Sequence, residues 1–547
     1  MSFIRNIFRA LSGIERRVLW AALACVAVGA VGLVAIFVRD HTVVVPAHGG
    51  TYTEGMVGQP SYVNPVLAAS DDDQGLVRLV YANLADLAET IEISPDARTV
   101  KVRLKQNLEW SDGQPLTSDD VVFTLQFIQD PDSRSPLAGL FTGVTADRAS
   151  ALEIDFHITN TALTSAIPDL RPAPRHLFAD VPPANWRLSD YNLRPVSSGP
   201  YVFISHDSGA DGFISAYRLA ANPRYAGTAP YLQRVNVLFF HNSGELVSSF
   251  NAGQIQGFGT TDPGLPTGIQ RPYTLTRFTT PTVYAVFWNN TANPALGAFE
   301  VREALDLVVN RADVIAALGG AAELATGPFP PALFAPDASS TAVSSTAVAD
   351  PAQILQKKGW AKGDDGVWAK KIGKANVRLE FGLSVPDIGF LKSAAEKLAE
   401  EWQAFGAEVH LNVLSPDDAL LAAVTNRSYD GLLFGNTVRG SGDLYPFWHS
   451  SGRFAPGLNL AVYKNTAVDV MLENLRQERD DAHRQKDMRA VASAITDDEP
   501  AVFLFSLDDL YVGSKNVGGV TGGFLENPAD RLAGIPQWYV ETGRRLK

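Results

Sequence analysis

The stretch LEWSDGQPLTSDDVVFTLQFI, residues 108–128, combines a tryptophan, a short turn sequence and several acidic side chains. The acids could form a reaction centre, with Asp112 and the pair Asp119 and Asp120 as candidate acid and base, or they could stabilise the fold. Residues 111–113 (Ser-Asp-Gly) have the residue types of a tight turn. Thr117, three residues before Asp120, matches the capping box that begins a helix. Adjacent residues on a helix do not face each other, so the stretch favours a turn and a capped helix over a catalytic pair.

Hydrophobic periodicity on both sides of the turn predicts a strand and a helix. Residues 98–104 (RTVKVRL) alternate apolar and charged side chains, which is typical of a half-buried strand. Val121, Leu125 and Ile128 recur at helical spacing and predict the buried side of the helix. Leu116 occupies the position of a hydrophobic staple before the cap. A strand, a turn and a capped helix are therefore expected in this order.

The rest of the chain alternates helical and extended patterns without an internal repeat. An amphipathic pattern over 390–406 stops at its final glycine, and an alternating pattern follows over 407–414. Further helical patterns cover 301–318 and 467–496, and the second of these precedes the apolar segment 501–507. This order predicts mixed α/β domains.

Composition limits the class of protein. The chain has 547 residues, which suggests about two or three domains. Its 46% hydrophobic and 19% charged residues are typical of globular proteins. A formal net charge of −13 argues against a nucleic-acid partner. The single cysteine, Cys25, excludes an internal disulfide and a cysteine-rich zinc site.

An unbroken apolar run occupies residues 18–38. As a helix it would reach roughly 30 Å, the thickness of a bilayer core. Arginines precede the run at positions 5, 9, 16 and 17, whereas only Arg39, next to Asp40, follows it closely. By the positive-inside rule, the sequence predicts a transmembrane anchor with residues 1–17 in the cytoplasm and the body outside.

Two other interpretations of the apolar run stay open. A cleaved signal peptide would have a shorter apolar region, of about 7–15 residues, and a small-residue cleavage site. A lipoprotein signal would place Cys25 at the end of the run, whereas Cys25 lies in its middle. The sequence favours an uncleaved, single-pass anchor in the plasma membrane, followed by a linker over 39–49.

Known reaction-centre motifs are missing from the sequence. It contains no G-x-x-x-x-G-K-[ST] loop, no H-E-x-x-H and no G-x-S-x-G, and its histidines have no metal-ligand spacing. His449 lies beside Ser450 and Ser451, but a nucleophile also needs a base and an orienting partner in space. The sequence therefore predicts no catalytic residue, no metal and no cofactor.

Residues 94–128, SPDARTVKVRLKQNLEWSDGQPLTSDDVVFTLQFI, resemble the signature of the family 5 extracellular solute-binding proteins, the peptide- and nickel-binding components of ABC importers. The residues that match the family pattern are Trp110, Asp112, Gly113, Pro115, Thr117, Asp120 and Val121. Further blocks resemble the family in the same order along the chain, at 194–203, 219–240, 248–257, 301–315 and 445–469. Ser197, Gln256 and Asn310 depart from the pattern within these blocks. The resemblance extends over the chain from about residue 50.

The resemblance implies an α/β fold of the periplasmic-binding-protein type. Its two lobes would be joined by a two-strand hinge, with an extra domain in the first lobe. By analogy, the first lobe would comprise 50–74, 184–283 and 506–547, the extra domain 75–183, and the second lobe 284–505.

The function that the resemblance implies is the capture of oligopeptides outside the cytoplasm by lobe closure. A monomeric binding protein of this kind would deliver them to the permease subunits of an ABC transporter. Two alternatives stay open. One is an anchored sensor or chaperone-like module without a transport role, and the other is a protein that binds a non-peptide, anionic solute.

Peptide-binding members of the family hold the peptide amino group with an aspartate in a loop that corresponds to residues 435–451. Here the first aspartate position is Ser441, the second is Asp443, and the usual tryptophan is Val438. Serine carries no charge to pair with an ammonium, so either Asp443 replaces it or no free amine is held there. Arg439, in the same loop, raises a third option, an anionic ligand group.

The candidate ligand-binding residues either belong to this loop region or carry a large aromatic side chain. They are Asp443, Ser441, Arg439, Asn436, Trp448, Phe447 and Trp288. Hydrogen bonds to the peptide backbone would give affinity without side-chain selectivity.

Overall fold

The computed structural model describes residues 12–159, 161–319, 322–334, 350–438, 442–478 and 480–546. The α-helices are α1 (Gly13–His41), α2 (Asp71–Val80), α3 (Leu84–Leu87), α4 (Ser118–Gln129), α5 (Arg175–Phe178), α6 (Ser243–Asn251), α7 (Phe299–Val308), α8 (Arg311–Ala317), α9 (Pro351–Lys357), α10 (Gly389–Phe405), α11 (Pro416–Leu420), α12 (Tyr445–Trp448), α13 (Thr466–Leu475) and α14 (Asp481–Thr496).

The β-strands follow in the same chain order. They are β1 (Thr42–Ala47), β2 (Thr51–Val57), β3 (Ala88–Ile93), β4 (Thr99–Leu104), β5 (Val144–Ser150), β6 (Glu153–Ile158), β7 (Tyr201–Ser208), β8 (Ile214–Ala221), β9 (Arg234–Phe240), β10 (Gly257–Thr260), β11 (Tyr273–Trp288), β12 (Ala322–Leu324), β13 (Ala361–Lys362), β14 (Trp368–Ile372), β15 (Ala375–Arg378), β16 (Glu380–Pro386), β17 (Glu408–Leu414), β18 (Gly431–Thr437), β19 (Ala501–Ser514) and β20 (Glu541–Leu546).

Helix α1 contains the apolar run predicted as a membrane segment. Its apolar side chains are exposed instead of packing against the body; Val18 and Val31, for example, are 63% and 69% exposed. Its segment Gly13–Leu33 is long and apolar enough to cross a membrane. Of the arginines that set the predicted orientation, Arg5 and Arg9 lie outside the described residues.

The stretch at 108–128 folds as a turn and a capped helix. The Thr117 hydroxyl accepts a hydrogen bond from the Asp119 backbone N–H, and the Asp120 carboxylate accepts one from the Thr117 N–H at 2.9 Å. The other Asp120 oxygen accepts from the Arg175 N–H at 2.9 Å. Asp112 accepts from the backbone N–H two residues further on. The capping box is confirmed, and the acids at 112 and 120 bind backbone groups.

Two other predicted elements, a strand and a helix, are confirmed, and two predicted helices are each interrupted in the structure. Strand β4 buries Val100, Val102 and Leu104 on one face as predicted, and α10 ends where Gly406 adopts a φ of 110°. The helical patterns over 301–318 and 467–496 each form two helices, α7 with α8 and α13 with α14. The second helix of each pair begins after a capping Asn or Asp side chain that is not itself helical. Asn310 follows α7 closely, whereas α13 already ends at Leu475, before Asp480 is reached.

Most strands belong to one eleven-stranded sheet, with the order β17-β16-β18-β11-β19-β10-β2-β9-β8-β7 and β12 also paired with β19. Its two longest strands, β11 and β19, pair antiparallel over most of their length. Phe278 and Tyr511 of this pair belong to one hydrophobic core, and Trp288 and Val502 belong to another. The two strands therefore pass from one lobe to the other, as the resemblance implies.

The first lobe carries a second, smaller sheet. Its four antiparallel strands have the order β3-β4-β6-β5, and they lie within the residues predicted as the extra domain. Val100 and Trp110 of this region share one hydrophobic cluster with Tyr52 and Tyr217 of the large sheet. The small sheet is thus packed onto the first lobe through a continuous core.

The second lobe has a hydrophobic core on each face of the sheet. Trp288 packs with Trp402 of α10 on one face, whereas Phe287 packs with Trp448 of α12 on the other. Successive residues of a strand point to opposite faces, so one strand supplies both cores.

A separate two-stranded ribbon joins both ends of the described body. Strand β1 begins directly after α1 and pairs antiparallel with β20, from Thr42↔Leu546 to Ala47↔Glu541. Residues 39–49, predicted as a linker, thus contain the end of α1 and strand β1.

Candidate ligand-binding cleft

The strand directions indicate where a ligand would bind between the lobes. In the first lobe, β2 is parallel to β9 and β10, and in the second lobe β16 is parallel to β17 and β18. Strands β10 and β18 run antiparallel to β19 and β11, respectively, and both run towards the point where that long pair changes lobe. The carboxyl ends of parallel strands from both lobes therefore face this point. Such ends are where open α/β sheets bind ligands.

The long strand pair is irregular where it changes lobe. Thr279 faces Asp508, and the next pair in register is Val283 with Ser506, so β11 has extra residues there. Pro281 lies within this bulge, and a proline cannot donate a sheet hydrogen bond. A bulge bends the strand and weakens the local pairing, so this short segment is the candidate hinge.

Side chains hold the two strands together across the bulge. The Thr280 hydroxyl donates to the Leu507 carbonyl at 2.7 Å, and the Ser506 hydroxyl donates to the Thr280 carbonyl at 3.2 Å. The Pro281 carbonyl accepts from the Val438 N–H at 2.7 Å. The loop that follows β18 is therefore attached directly to the candidate hinge.

Asp443, the predicted amine anchor, is paired within the protein. Its carboxylate accepts from Arg476 at three contacts: Nε lies 3.0 Å from Oδ1 and 3.1 Å from Oδ2, and Nη2 lies 2.7 Å from Oδ2. The same carboxylate accepts from the Tyr445 N–H at 3.1 Å. The guanidinium lies 3.8 Å from the centre of the Tyr445 ring. Asp443 is thus held by a cation that the sequence pattern did not indicate. Its contact with a ligand stays a prediction.

The remaining predicted residues lie at different depths. Asn436 is 5% exposed on β18, opposite Val283. Phe447 is half-buried, whereas Trp448 is 1% exposed and packs against Phe503. Asn436 lies near the carboxyl end of β18, and Phe447 and Trp448 belong to one core of the second lobe. Their grouping with Asp443 around a ligand stays a prediction. Arg439 and Ser441 lie outside the described residues.

Trp288 lies away from this cluster. Its side chain is 1% exposed and packs against Phe381 and Trp402, with ring centroids 5.4 Å apart in both cases. It belongs to the core on the sheet face opposite to Trp448. In this conformation Trp288 supports the core of the second lobe.

Acidic side chains flank the candidate hinge. Asp508, opposite Thr279, lies 3.3 Å from the Arg277 guanidinium through its Oδ2 atom. Burial raises the pKa of Asp508, and Arg277 opposes this shift. Glu323 on β12 is paired in register with Ser506, and burial, followed by the charge of Asp508, raises its pKa.

A buried ionic cluster lies on the first-lobe side of the hinge. Glu54 on β2 is 0% exposed and lies 2.7 Å from Nη1 of Arg531. The Oδ2 atom of Asp509 is 3.6 Å from Nε of Arg531, too far for a hydrogen bond. Gly259 makes room for the guanidinium, since a Cβ there would lie 2.3 Å from Arg531 Nη2. Two carboxylates therefore share one cation.

The shared cation leaves Asp509 poorly compensated. Burial raises its pKa to about 7; Arg531 opposes the shift and Glu54 adds to it. The sequence pattern did not indicate this cluster because its members are far apart in the chain.

The serine and histidine group near 450 forms a local cap. Nδ1 of His449 lies 2.7 Å from the Ser451 hydroxyl and 3.1 Å from the Ser451 backbone N–H. Ser450 donates through its backbone and hydroxyl to Asp469, and His449 Nε2 is 3.8 Å from the same carboxylate. The imidazole thus caps the turn Ser450–Gly452.

One possible cation cluster occurs among the described residues. Glu380, Glu408 and His410 place one ligand atom each within 4.8 Å of the others on adjacent strands β16 and β17. Arg378 already lies 2.7 Å from Glu408 and 3.8 Å from Glu380. An exposed ion-pair network accounts for this arrangement.

The family profile of the bacterial extracellular solute-binding proteins, family 5 (middle region), matches residues 84–455. The chain belongs to this family. The resemblance inferred from the stretch at 108–128 is thereby confirmed, and the family is one of solute-binding proteins rather than enzymes.

Curated relatives match most of the chain. The oligopeptide-binding protein AppA of Bacillus subtilis is 23% identical over 518 residues, which cover 90% of this chain and 92% of AppA. Protein XP55 of Streptomyces lividans is 26% identical over 498 residues, 85% of each chain.

Solved structures share the fold. AppA of B. subtilis in complex with a nonapeptide superimposes with a TM-score of 0.69 at 22% identity, covering 91% of this chain and all of AppA. The substrate-binding protein CtaP of Listeria monocytogenes gives a TM-score of 0.74 at 22% identity, with 90% and 100% coverage. NikZ of Campylobacter jejuni in complex with Ni(L-His) gives 0.70 at 19% identity, with 89% and 99% coverage. The two-lobed periplasmic-binding-protein fold is therefore confirmed.

Proposed function

We propose that this protein captures oligopeptides between its lobes and delivers them to the permease of an ABC transporter. The observation that carries the proposal is the meeting of parallel strand ends from both lobes beside a two-strand hinge. This geometry allows a ligand to favour a closed form by contacting both lobes at once. The match to AppA over most of both chains supports a peptide as the ligand.

The proposed division of the chain follows the resemblance. The first lobe comprises 50–74, 184–283 and 506–547, the extra domain 75–183, and the second lobe 284–505. The register irregularity between Thr279 and Val283 lies beside two of these borders, which supports the division. Asn436, Asp443 and Phe447, with Arg439 and Ser441 of the same loop, form the proposed ligand-contacting segment of the second lobe.

The protein acts at the membrane surface in this proposal. Helix α1 remains uncleaved and spans the bilayer through 18–38, with the N-terminus in the cytoplasm and the body outside. The exposed apolar surface of α1 supports this, because the body leaves it uncovered. The body works as a monomer without catalysis, and the permease subunits are its partners.

Calorimetry on the intact protein in detergent tests the ligand class. A mixed library of short peptides should release or absorb heat on binding, whereas an equimolar mixture of free amino acids serves as the control. Native mass spectrometry of the protein as purified gives an independent reading, since a trapped peptide adds its own mass. An absence of both heat and retained peptide would exclude the peptide proposal.

A second candidate is a ligand without a free amino group, such as an anionic solute. The observation that favours it is the three-contact pairing of Asp443 with Arg476, which already neutralises the predicted amine anchor. A peptide and its N-acetyl derivative distinguish the two cases. If Asp443 anchors the amine, acetylation and Asp443→Asn should each weaken binding about tenfold or more, because an ammonium would lose its charged partner.

The control for this comparison is Asp180→Asn, an exposed aspartate of the extra domain, outside the second lobe. It should leave both affinities unchanged. Equal affinity for the free and acetylated peptides, unaffected by Asp443→Asn, would remove the amine-anchor role and favour the second candidate.

A further inference from the structure

The ribbon β1–β20 occupies a defined place next to the proposed membrane helix. His41 is the last residue of α1 and Thr42 is the first of β1, so no flexible segment separates them. Thr42 is paired with Leu546, which brings β20 to the end of the helix. The ribbon is a sheet of its own and has no strand neighbour in the eleven-stranded sheet.

The end of the ribbon nearest the helix is apolar and basic. Val44 and Leu546 are 58% and 69% exposed, and Val43 is 39% exposed. Arg544 and Arg545, paired with Val44 and Val43, are exposed on opposite faces. The acidic residue of β20, Glu541, lies at the other end, beside Ala47.

An isolated two-stranded ribbon is only marginally stable in water. This one also exposes apolar side chains that would be stabilised by contact with an apolar layer. Apolar groups next to basic groups are the composition that binds the boundary between lipid tails and anionic headgroups. The ribbon therefore has the surface of a membrane-contacting element.

The helix places the ribbon at the correct depth for such contact. If residues 18–38 fill the hydrocarbon core, Thr42 lies roughly 6 Å beyond its edge. The headgroup layer on each side is about 5–8 Å thick. Val43, Val44 and their arginine partners thus begin within or directly above the headgroups.

We propose that the end of the β1–β20 ribbon nearest α1 stands in the headgroup layer of the membrane and that Arg544 and Arg545, one on each face of the ribbon, bind the phosphates of anionic lipids there. The proposal rests on the uncleaved anchor described under the proposed function, and it adds a lipid partner that peptide capture does not require. The whole chain has a formal net charge of −13, so an anionic surface would repel the protein in general. The two arginines supply local attraction, about fivefold in binding for each basic residue near such a surface.

Quenching of a fluorescent label tests the lipid contact. The full chain carries Cys25→Ser, which removes its only cysteine, and Leu546→Cys as the labelling site. It is reconstituted in nanodiscs of phosphatidylcholine alone or mixed with phosphatidylglycerol. We expect acrylamide quenching of the label to fall about threefold or more in the anionic discs. The double variant Arg544→Glu/Arg545→Glu should lose this difference.

A label at Ala210→Cys is the matched control. Ala210 is exposed in the turn between β7 and β8, at the end of the sheet towards which β2 runs, whereas the ribbon precedes the start of β2. Its quenching should be the same in both lipids. Hydrogen exchange over 541–546 shows whether the ribbon persists in the charge-reversed protein, so loss of folding is separated from loss of lipid contact.

Two results would overturn the proposal. Equal quenching of the Leu546→Cys label in both lipids, with the ribbon formed, would exclude anionic lipid as the partner. Quenching of this label that falls as the number of chains per disc rises, with no dependence on lipid charge, would show that the ribbon contacts a second copy of the chain and not the lipid. Intact mass and co-elution with the disc report separately on the anchor, and calorimetry in the same discs reports separately on peptide capture.

Discussion

Asp509 and Glu54 share the single guanidinium of Arg531 in a part of the first lobe from which water is excluded. Removing a carboxylate from water disfavours its charged form, and one arginine compensates only part of that effect for two acids. The proximity of Glu54 therefore adds to the burial that raises the pKa of Asp509 to about 7. A titrating group next to the hinge makes the stability of this lobe depend on pH.

The direction of this dependence follows from the pKa shift. Between about pH 4 and 7, the folded protein retains a proton on Asp509 that the unfolded chain has released. The free energy of unfolding should therefore fall as the pH rises through this window, since the unfolded state binds fewer protons. Asp509→Asn removes this contribution and should be more stable than the wild type at pH 8, by a few kcal/mol at most.

Urea denaturation at pH 5 and pH 8 measures the effect. The control variant, Asp180→Asn, changes an exposed aspartate and should leave the difference between the two pH values as it is in the wild type. An Asp509→Asn protein that is less stable than the wild type at pH 8 would contradict this prediction. It would show that the charged Asp509 stabilises the buried Arg531 by more than its own burial costs.

The helix α4 shows how a family signature can consist of structural residues. The Thr117 hydroxyl accepts from the Asp119 N–H, and the Asp120 carboxylate accepts from the Thr117 N–H. Asp120 also accepts from the Arg175 N–H at the start of α5. These bonds satisfy donors that a helix start otherwise leaves unpaired. Asp112 and Asp120 thus bind backbone groups of the turn and the helix, whereas Glu109 and Asp119 pair with Arg224 and Arg148. Structural contacts therefore account for the acids in this stretch.

Thr117→Ala should lower the free energy of unfolding by ~1 kcal/mol, because the cap loses its side-chain acceptor. Gln126→Ala, at an exposed position of the same helix, is the control and should change stability by a few tenths of a kcal/mol at most. Thermal and urea denaturation measure both. Equal stability of the two variants would mean that water or a shifted backbone replaces the cap.

Each of the two long helical patterns, over 301–318 and 467–496, is interrupted and forms two helices. Asn310 and Asp480 accept hydrogen bonds from the second or third residue of α8 and α14. Their residue types are the preferred N-caps, so the sequence contained a signal for each break. The amphipathic pattern continued across both positions, however, and concealed it.

At the scale of the whole molecule, the two lobes are connected within one sheet by β11 and β19. The bulge around Pro281 is the segment of this connection with the least regular pairing, and bending concentrated there would leave both lobe cores intact. Ligand contact with both lobes then shifts the population towards a closed form.

Spin labels on opposite lobes should report this closure. Ala210→Cys lies in the turn between β7 and β8 of the first lobe, and Asp417→Cys lies in the first turn of α11 in the second lobe. Both positions are at the hinge-facing end of their part of the sheet. In a Cys25→Ser background, the distance between the labels should shorten by several ångströms when peptide binds. The control pair is Ala210→Cys in the first lobe with Asp180→Cys in the extra domain that shares its core, and this distance should not change. An unchanged distance between the lobes at saturating peptide would contradict closure.

The sequence by itself determined the local elements and the family. Features that depend only on neighbouring residues could be predicted from the chain, and they are present in the structure. They are the strand over 98–104, the helix cap at Thr117 and the helix end at Gly406. The apolar length of α1 is equally local. The loop after β18 could also be located from the sequence as the candidate site, because its position follows from the family pattern.

Only the tertiary structure decided which distant groups meet. Asp443 could be singled out, but its pairing with Arg476 depends on how α13 packs beside the loop. Trp288 and Trp448 were equivalent aromatic residues in the sequence, yet strand alternation and packing place them in cores on opposite faces of the sheet. The pairs Arg531 with Glu54 and Thr42 with Leu546 join opposite ends of the chain. Such contacts arise from the packing of complete elements against each other, and no short stretch of sequence encodes them.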